Sequence, residues 1–204
     1  MRLLSHTIGI FTHPDREWAA IRADKHSFKQ VFLSHVPFLA LIPCIAGYIG
    51  VTRFGFELGG HLTRLTPPSA AVLAVVTYFA MLIGVYLLGE FINWMARSYG
   101  VEGDEPTRHY EGTALAVFVT TPIFLASIVV LYPHLWLTVT VIGLAGLYSI
   151  YLMYEGIPIL MNMDKDRAFL YASAVVTVAL IMMVTVLIGS VLLWSMGLGP
   201  IYQH

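Results

Sequence analysis

The sequence predicts an all-α polytopic membrane protein: a bundle of five transmembrane helices with short interfacial helices at its N-terminus. Three observations carry that prediction. Only 11% of the 204 residues are charged and 58% are hydrophobic, whereas a soluble domain carries about a quarter charged residues. The apolar residues fall in five long blocks, with a mean hydropathy of +0.78 over the chain. Lysine and arginine avoid alternate loops, as they do in a membrane protein of fixed orientation. A soluble enzyme and a disordered chain are excluded. So is a nucleic-acid partner, which needs a basic footprint, since the net charge is −1.

The first 30 residues are patterned but not a span. Leu4, Ile8 and Phe11 recur at i, i+4 and i+7, as on one face of a helix. His13-Pro14-Asp15-Arg16-Glu17-Trp18 follows, with proline at a first helical position and acids in the first turn, a helix start. Trp18 and Ile21 share its apolar face. These helices are expected to lie in the headgroup layer as residues 1–30 of a cytosolic segment, with Trp18 as the interfacial anchor. On a sharper reading the same surface docks a cytosolic protein partner. The early apolar stretch is broken by Ser5, His6 and Thr7, so it is not a signal peptide, and the block beginning at Val31 stays as a span.

A span needs about 20 mostly apolar residues. Residues 31–51, 69–96, 113–132, 134–160 and 168–196 meet this, and together they make a transmembrane domain over 31–204. Helix is forced, because lipid supplies no partner for backbone N–H and C=O groups. Orientation follows from the eleven basic residues. Arg2, Arg16, Arg22, Lys25 and Lys29 precede the first span, Arg97 and Arg108 lie in the second loop, and Lys165 and Arg167 lie in the fourth. Only Arg53 and Arg64 fall on the other side. The N-terminus is therefore expected in the cytosol and the C-terminus outside. Residues 52–68, half apolar, are expected to lie along the outer membrane surface.

Polar groups inside spans are costly and point to function. Tyr86, Glu90, Asn93 and Arg97 form one stripe of the second span, and Tyr148, Tyr151, Glu155, Pro158 and Asn162 one stripe of the fourth. Glu90 and Glu155 each lie 21 residues from the outer start of their span, roughly 30 Å down the helix. His35 and Glu111 belong to the same cytosolic layer. A candidate polar pocket thus comprises Glu90, Asn93, Glu155, Tyr151, His35 and Glu111, able to hold a cation, a proton or a partner's basic segment. The bland alternative is that these groups snorkel to water or join helices.

Nothing else in the chain carries chemistry. Cys44 is the sole cysteine, and the eight histidines include no i, i+4 pair, so no metal site and no cofactor are expected. Tyr110-Glu111-Gly112 and Tyr154-Glu155-Gly156 repeat a tripeptide without a longer repeat around it. Nucleophile elbows, Walker loops, dinucleotide fingerprints and HExxH motifs are missing, which disfavours an enzyme.

An HPxxxWxxI element (His13, Pro14, Trp18, Ile21), five spans, and a Tyr-Glu-Gly-x-Pro element closing the fourth span (Tyr154, Glu155, Gly156, Pro158) resemble the Yip family of Rab-interacting membrane proteins and their bacterial relatives. In the eukaryotic members the resemblance would imply binding of prenylated Rab GTPases through a long cytosolic N-terminal region. Here that region is short and lacks an Asp-Leu-Tyr-Gly-Pro signature, so the chain is most similar to the compact bacterial branch. This implies a multi-pass protein of the cell inner membrane. Two functions are then expected to compete. One is a non-enzymatic scaffold or adaptor, oligomeric with itself and engaging lipid or a cytosolic protein. The other is a small transporter or cation- and proton-binding protein built on the carboxylate pocket.

Overall fold

The computed structural model describes residues 2–23, 28–58, 61–101, 105–132, 134–193, 195–196 and 199–203. In chain order the helices are α1 (Arg2–Thr12), α2 (Pro14–Ala23), α3 (Phe28–Ile49), α4 (Pro67–Ser98), α5 (Glu105–Ala126), α6 (Leu135–Leu160) and α7 (Lys165–Leu193). The last five are long and apolar enough to span a membrane, at 29–54, 67–98, 109–131, 135–160 and 165–192 with their flanking turns. The expected spans are all present, displaced by a few residues at their ends.

α5 is the centre of the bundle. It packs along α3, α4 and α6, and α4 and α6 lie against it rather than against each other. Ala114, Leu115, Ala116, Val117 and Phe118 on α5 are all at most 1% exposed. α4 has 32 residues, about 48 Å of helix, and so outreaches a hydrocarbon core of about 30 Å. Its last three turns carry Glu90, Asn93 and Arg97.

The N-terminal helices do not lie flat. α1 and α2 form a hairpin joined at His13, where the His13 amide donates to the Gly9 carbonyl (2.8 Å) and the Glu17 amide to the His13 carbonyl (3.0 Å). Pro14 opens α2 with Asp15 and Glu17 in its first turn, as the pattern predicts. The hairpin then enters the bundle. Tyr148 Oη donates to the Ile10 carbonyl (2.9 Å) near the tip, and Arg22 Nη1 donates to the Ile159 carbonyl (3.2 Å) at the open end. Tyr148 and Ile159 are 11 residues apart on α6, so the hairpin penetrates by about 16 Å.

Trp18, expected as an interfacial anchor, is fully buried together with Ile10 and Ile21. A side chain with no exposed surface cannot touch headgroups; this one is a wedge between α5 and α6. Its indole lies edge-on to Phe118 (6.2 Å) and beside Gly156. A Cβ at Gly156 would stand 2.7 Å from Leu115 Cδ1 and 2.8 Å from Trp18 Cε2. The glycine of the Tyr-Glu-Gly-x-Pro element is thus the notch that admits the tryptophan of the HPxxxWxxI element.

The opposite end of the bundle is closed by a structure the sequence reading did not anticipate. After a π-helical turn at Gly50–Phe54, strands β1 (Phe56–Leu58) and β2 (His61–Leu65) pair antiparallel, Phe56 opposite Thr63. β2 also pairs antiparallel with β3 (Tyr202–Gln203), Leu65 opposite Tyr202. The Thr66 amide donates to the Ile201 carbonyl (3.0 Å) and the Ile201 amide to Ser69 Oγ (3.0 Å). These bonds tie the segment after α7 to the start of α4. Strands this short satisfy their backbone only by pairing in three dimensions, so no alternation announces them.

Candidate functional site

A cavity of about 280 Å³ opens at the hairpin end of the bundle, among Arg22, Tyr99, Glu111, Asn162, Asp164 and Arg167. Two helix caps build its floor. α4 ends with Gly100 at φ 70°, and the Val101 amide reaches the Ala96 carbonyl (3.0 Å) while the Gly100 amide reaches that of Arg97 (3.3 Å). This is a Schellman cap, in which glycine accommodates the left-handed turn. α6 ends with Asn162 at φ 49°, and the Met163 amide donates to the Pro158 carbonyl (3.2 Å). Asparagine tolerates that conformation better than other non-glycine residues.

Arg22 crosses from the hairpin to close one wall. Its Nη1 donates both to the Ile159 carbonyl and to Asn162 Oδ1 (3.2 Å each), and its Nε lies 3.9 Å from Glu111 Oε1. Glu111 is only 6% exposed, so this guanidinium compensates a carboxylate held away from water. Tyr99 stacks on the fully buried Tyr171 (5.2 Å). Arg167 and Asp164 are exposed and form no ion pair among the described residues.

Of the six candidate pocket residues, Glu111 alone lines this cavity. Glu90 is hydrogen-bonded to His109 Nε2 of α5 (2.7 Å). Asn93 is 4% exposed, packed where α4 meets Gly112 of α5. Glu155 is half-buried on α6 and makes no hydrogen bond or ion pair among the described residues. Tyr151 is 46% exposed, with its ring beside Tyr148. The two stripes share a depth, but the helices that bear them each pack against α5.

His35 belongs to a second, internal group. It is 4% exposed, with Nε2 3.3 Å from Thr7 Oγ1 and its ring 5.4 Å from Phe118. His6, hydrogen-bonded to Glu17, places its ring 6.3 Å from the same phenylalanine. Phe118 is therefore ringed by His6, Trp18 and His35. Among the described residues, Trp18 Nε1 is buried there without a hydrogen-bond partner.

Sequence reasoning used Arg22 and Arg167 only as orientation signals and did not single out Asp164, His6 or Glu17 as site residues. Asn162 entered as the last member of the polar stripe of the fourth span. Arg22 meets Asp164 and Arg167 at the cavity from stretches far apart in the chain, and His6 meets Glu17 across the hairpin.

These features define a class: a multi-pass helical membrane protein with a re-entrant N-terminal hairpin and a polar cavity at the hairpin end. The Yip1 domain model matches residues 8–196, so α2 and the hairpin tip lie within the matched unit. The inner membrane protein YohC of Escherichia coli (strain K12) and its namesake in Escherichia coli O6:H1 are each 35% identical to this chain over 197 residues, covering 95% of it and 98% of the relative. The chain belongs to the Yip family and is a multi-pass inner-membrane protein. No solved structure matches it.

Proposed function

We propose that this chain is a non-enzymatic adaptor of the inner membrane, whose hairpin end faces the cytosol and holds a lipid headgroup. The cavity lined by Arg22, Glu111, Asn162 and Arg167 carries the proposal. It is polar, and it is formed where α2, α4 and α6 end and α7 begins, at the level where a bilayer changes from hydrocarbon to headgroups. The cytosolic orientation rests on the nine of eleven lysines and arginines in the segments at this end. The apolar face of α2, Trp18 and Ile21, is buried inside the bundle, whereas Ile8 and Phe11, expected to share an apolar face of α1, are exposed; the cavity is the polar element left to bind a headgroup.

The test is lipid retention by the full chain. Extracted in mild detergent and measured by native mass spectrometry, the wild type should keep bound phospholipid, and Arg167→Gln should lose most of it. A wild type that carries no lipid beyond its detergent shell would end this reading. Crosslinking in membranes would then ask separately whether the chain associates with itself or with a cytosolic protein.

One observation favours a transporter as the second reading. The His6–Glu17 pair sits on a re-entrant hairpin within the bundle, with His35 of α3 beside it at Thr7, and irregular elements at membrane depth line transport paths in other folds. Proteoliposome flux that falls in Glu17→Gln and Glu111→Gln would support it. Flux indistinguishable from empty vesicles would remove it.

A further inference from the structure

The charge pattern of the cavity narrows what fills it. Among its described lining residues stand two guanidiniums, Arg22 and Arg167, and two carboxylates, Glu111 and Asp164. A bare anion would be drawn by the first pair and repelled by the second, and a bare cation the reverse. The helix ends repeat the pattern. α4 and α6 bring C-terminal carbonyls, which favour positive charge, and α7 brings its first turn, which favours negative charge.

Resting on the headgroup reading above, we infer that the cavity takes a zwitterionic phosphoester, the phosphoethanolamine headgroup of a phospholipid. The phosphate lies toward Arg167 and the start of α7, and the ammonium toward Asp164 and Glu111. Arg22 is a wall of the site. It already serves the Ile159 carbonyl, Asn162 and Glu111, whereas Arg167 is exposed and makes no ion pair among the described residues. The cavity, about 280 Å³, falls just below the roughly 300–1,000 Å³ range of ligand sites. It suits a headgroup whose acyl chains stay in the bilayer. A primary ammonium brings three donors for carboxylate and carbonyl oxygens; a trimethylated one brings none.

The experiment is competition for the full chain among phosphatidylethanolamine, phosphatidylcholine and phosphatidylglycerol with identical acyl chains, read by native mass spectrometry. A fourth arm titrates soluble phosphoethanolamine. The ethanolamine lipid should be retained about tenfold over the other two, a difference of one hydrogen-bonded charge contact. Asp164→Asn, an exposed position that leaves the fold alone, should shrink that preference to about twofold. Arg167→Gln should weaken all three lipids together. Saturable binding of soluble phosphoethanolamine that displaces the lipid would uphold the chemistry and assign a soluble source. Retention of the glycerol lipid equal to or above that of the ethanolamine lipid would overturn the zwitterion while leaving a lipid site. Retention of no lipid, with no response to soluble phosphoethanolamine, would remove both.

Discussion

The two ends of this bundle are held together by different physics. At the hairpin end, short helices are buried against the bundle around one polar cavity and stitched by hydroxyl groups. Tyr110, Tyr148 and Tyr171 each donate to a backbone carbonyl on another helix, those of Ile21, Ile10 and Ile92. At the ribbon end, α4 and α7 turn Val72, Val75, Phe79, Leu187, Ile188 and Val191 outward, each more than half exposed. In water that surface would collapse. In lipid it has no reason to, because an acyl chain is as apolar as leucine and helix association must come from close packing and polar contacts. The polar end is therefore the tightly built end, inverting the pattern of a soluble domain.

Substitutions should break that contrast in a graded way, each measured as stability of the full chain in detergent micelles. Trp18→Ala removes the largest fully buried side chain of the hairpin and should cost about 3–5 kcal/mol; protease cleavage near the N-terminus should appear with it. Gly156→Val fills the notch from the other side and should cost about 1–3 kcal/mol, with Trp18 driven out of contact with Phe118. If Trp18→Ala left stability unchanged, the hairpin would not be part of the folded core.

Smaller effects sharpen the comparison. Tyr148→Phe and Tyr110→Phe each delete one hydroxyl bond to the hairpin backbone and should cost about 1 kcal/mol, visible as faster hydrogen exchange in α1 and α2 but not in α7. Leu187→Ala on the outer face of α7, 58% exposed, should change stability by less than about 0.5 kcal/mol. A loss there as large as that at Trp18 would show that a partner helix covers this face. Glu90→Gln sharpens a different point. Its bond to His109 is part-buried and should be worth no more than about 1 kcal/mol, with lipid retention unchanged, since Glu90 does not line the cavity.

Much of the architecture was readable from residue order. Block length and hydropathy located the spans within a few residues, and Pro14 with Asp15 and Glu17 marked the start of α2. Glu111 was identified as a member of a polar site and does line one. Glu90 and Glu155 were placed at one depth, but periodicity reports the face of a helix and not its neighbour. Glu90 meets His109 of α5, whereas Glu155 makes no hydrogen bond or ion pair among the described residues. Trp18 misled for a related reason. An amphipathic helix beside a membrane has the same sequence pattern whether its apolar face meets lipid or another helix, and Gly156, which decides the matter, is far away in the chain.

Residue order by itself determined that this chain spans a bilayer five times as helices, because the lipid's demand for satisfied backbone groups acts on each segment separately. Only the tertiary structure decided that the N-terminal hairpin enters the bundle, that the segment after α7 pairs with the α3–α4 connection in a ribbon, and that Arg22, Glu111, Asn162 and Arg167 share a cavity. Those outcomes depend on which side chains meet across helices, and in an apolar solvent hydrophobicity does not choose among such meetings. Shape and hydrogen bonding choose, and both are properties of pairs of residues far apart in the chain.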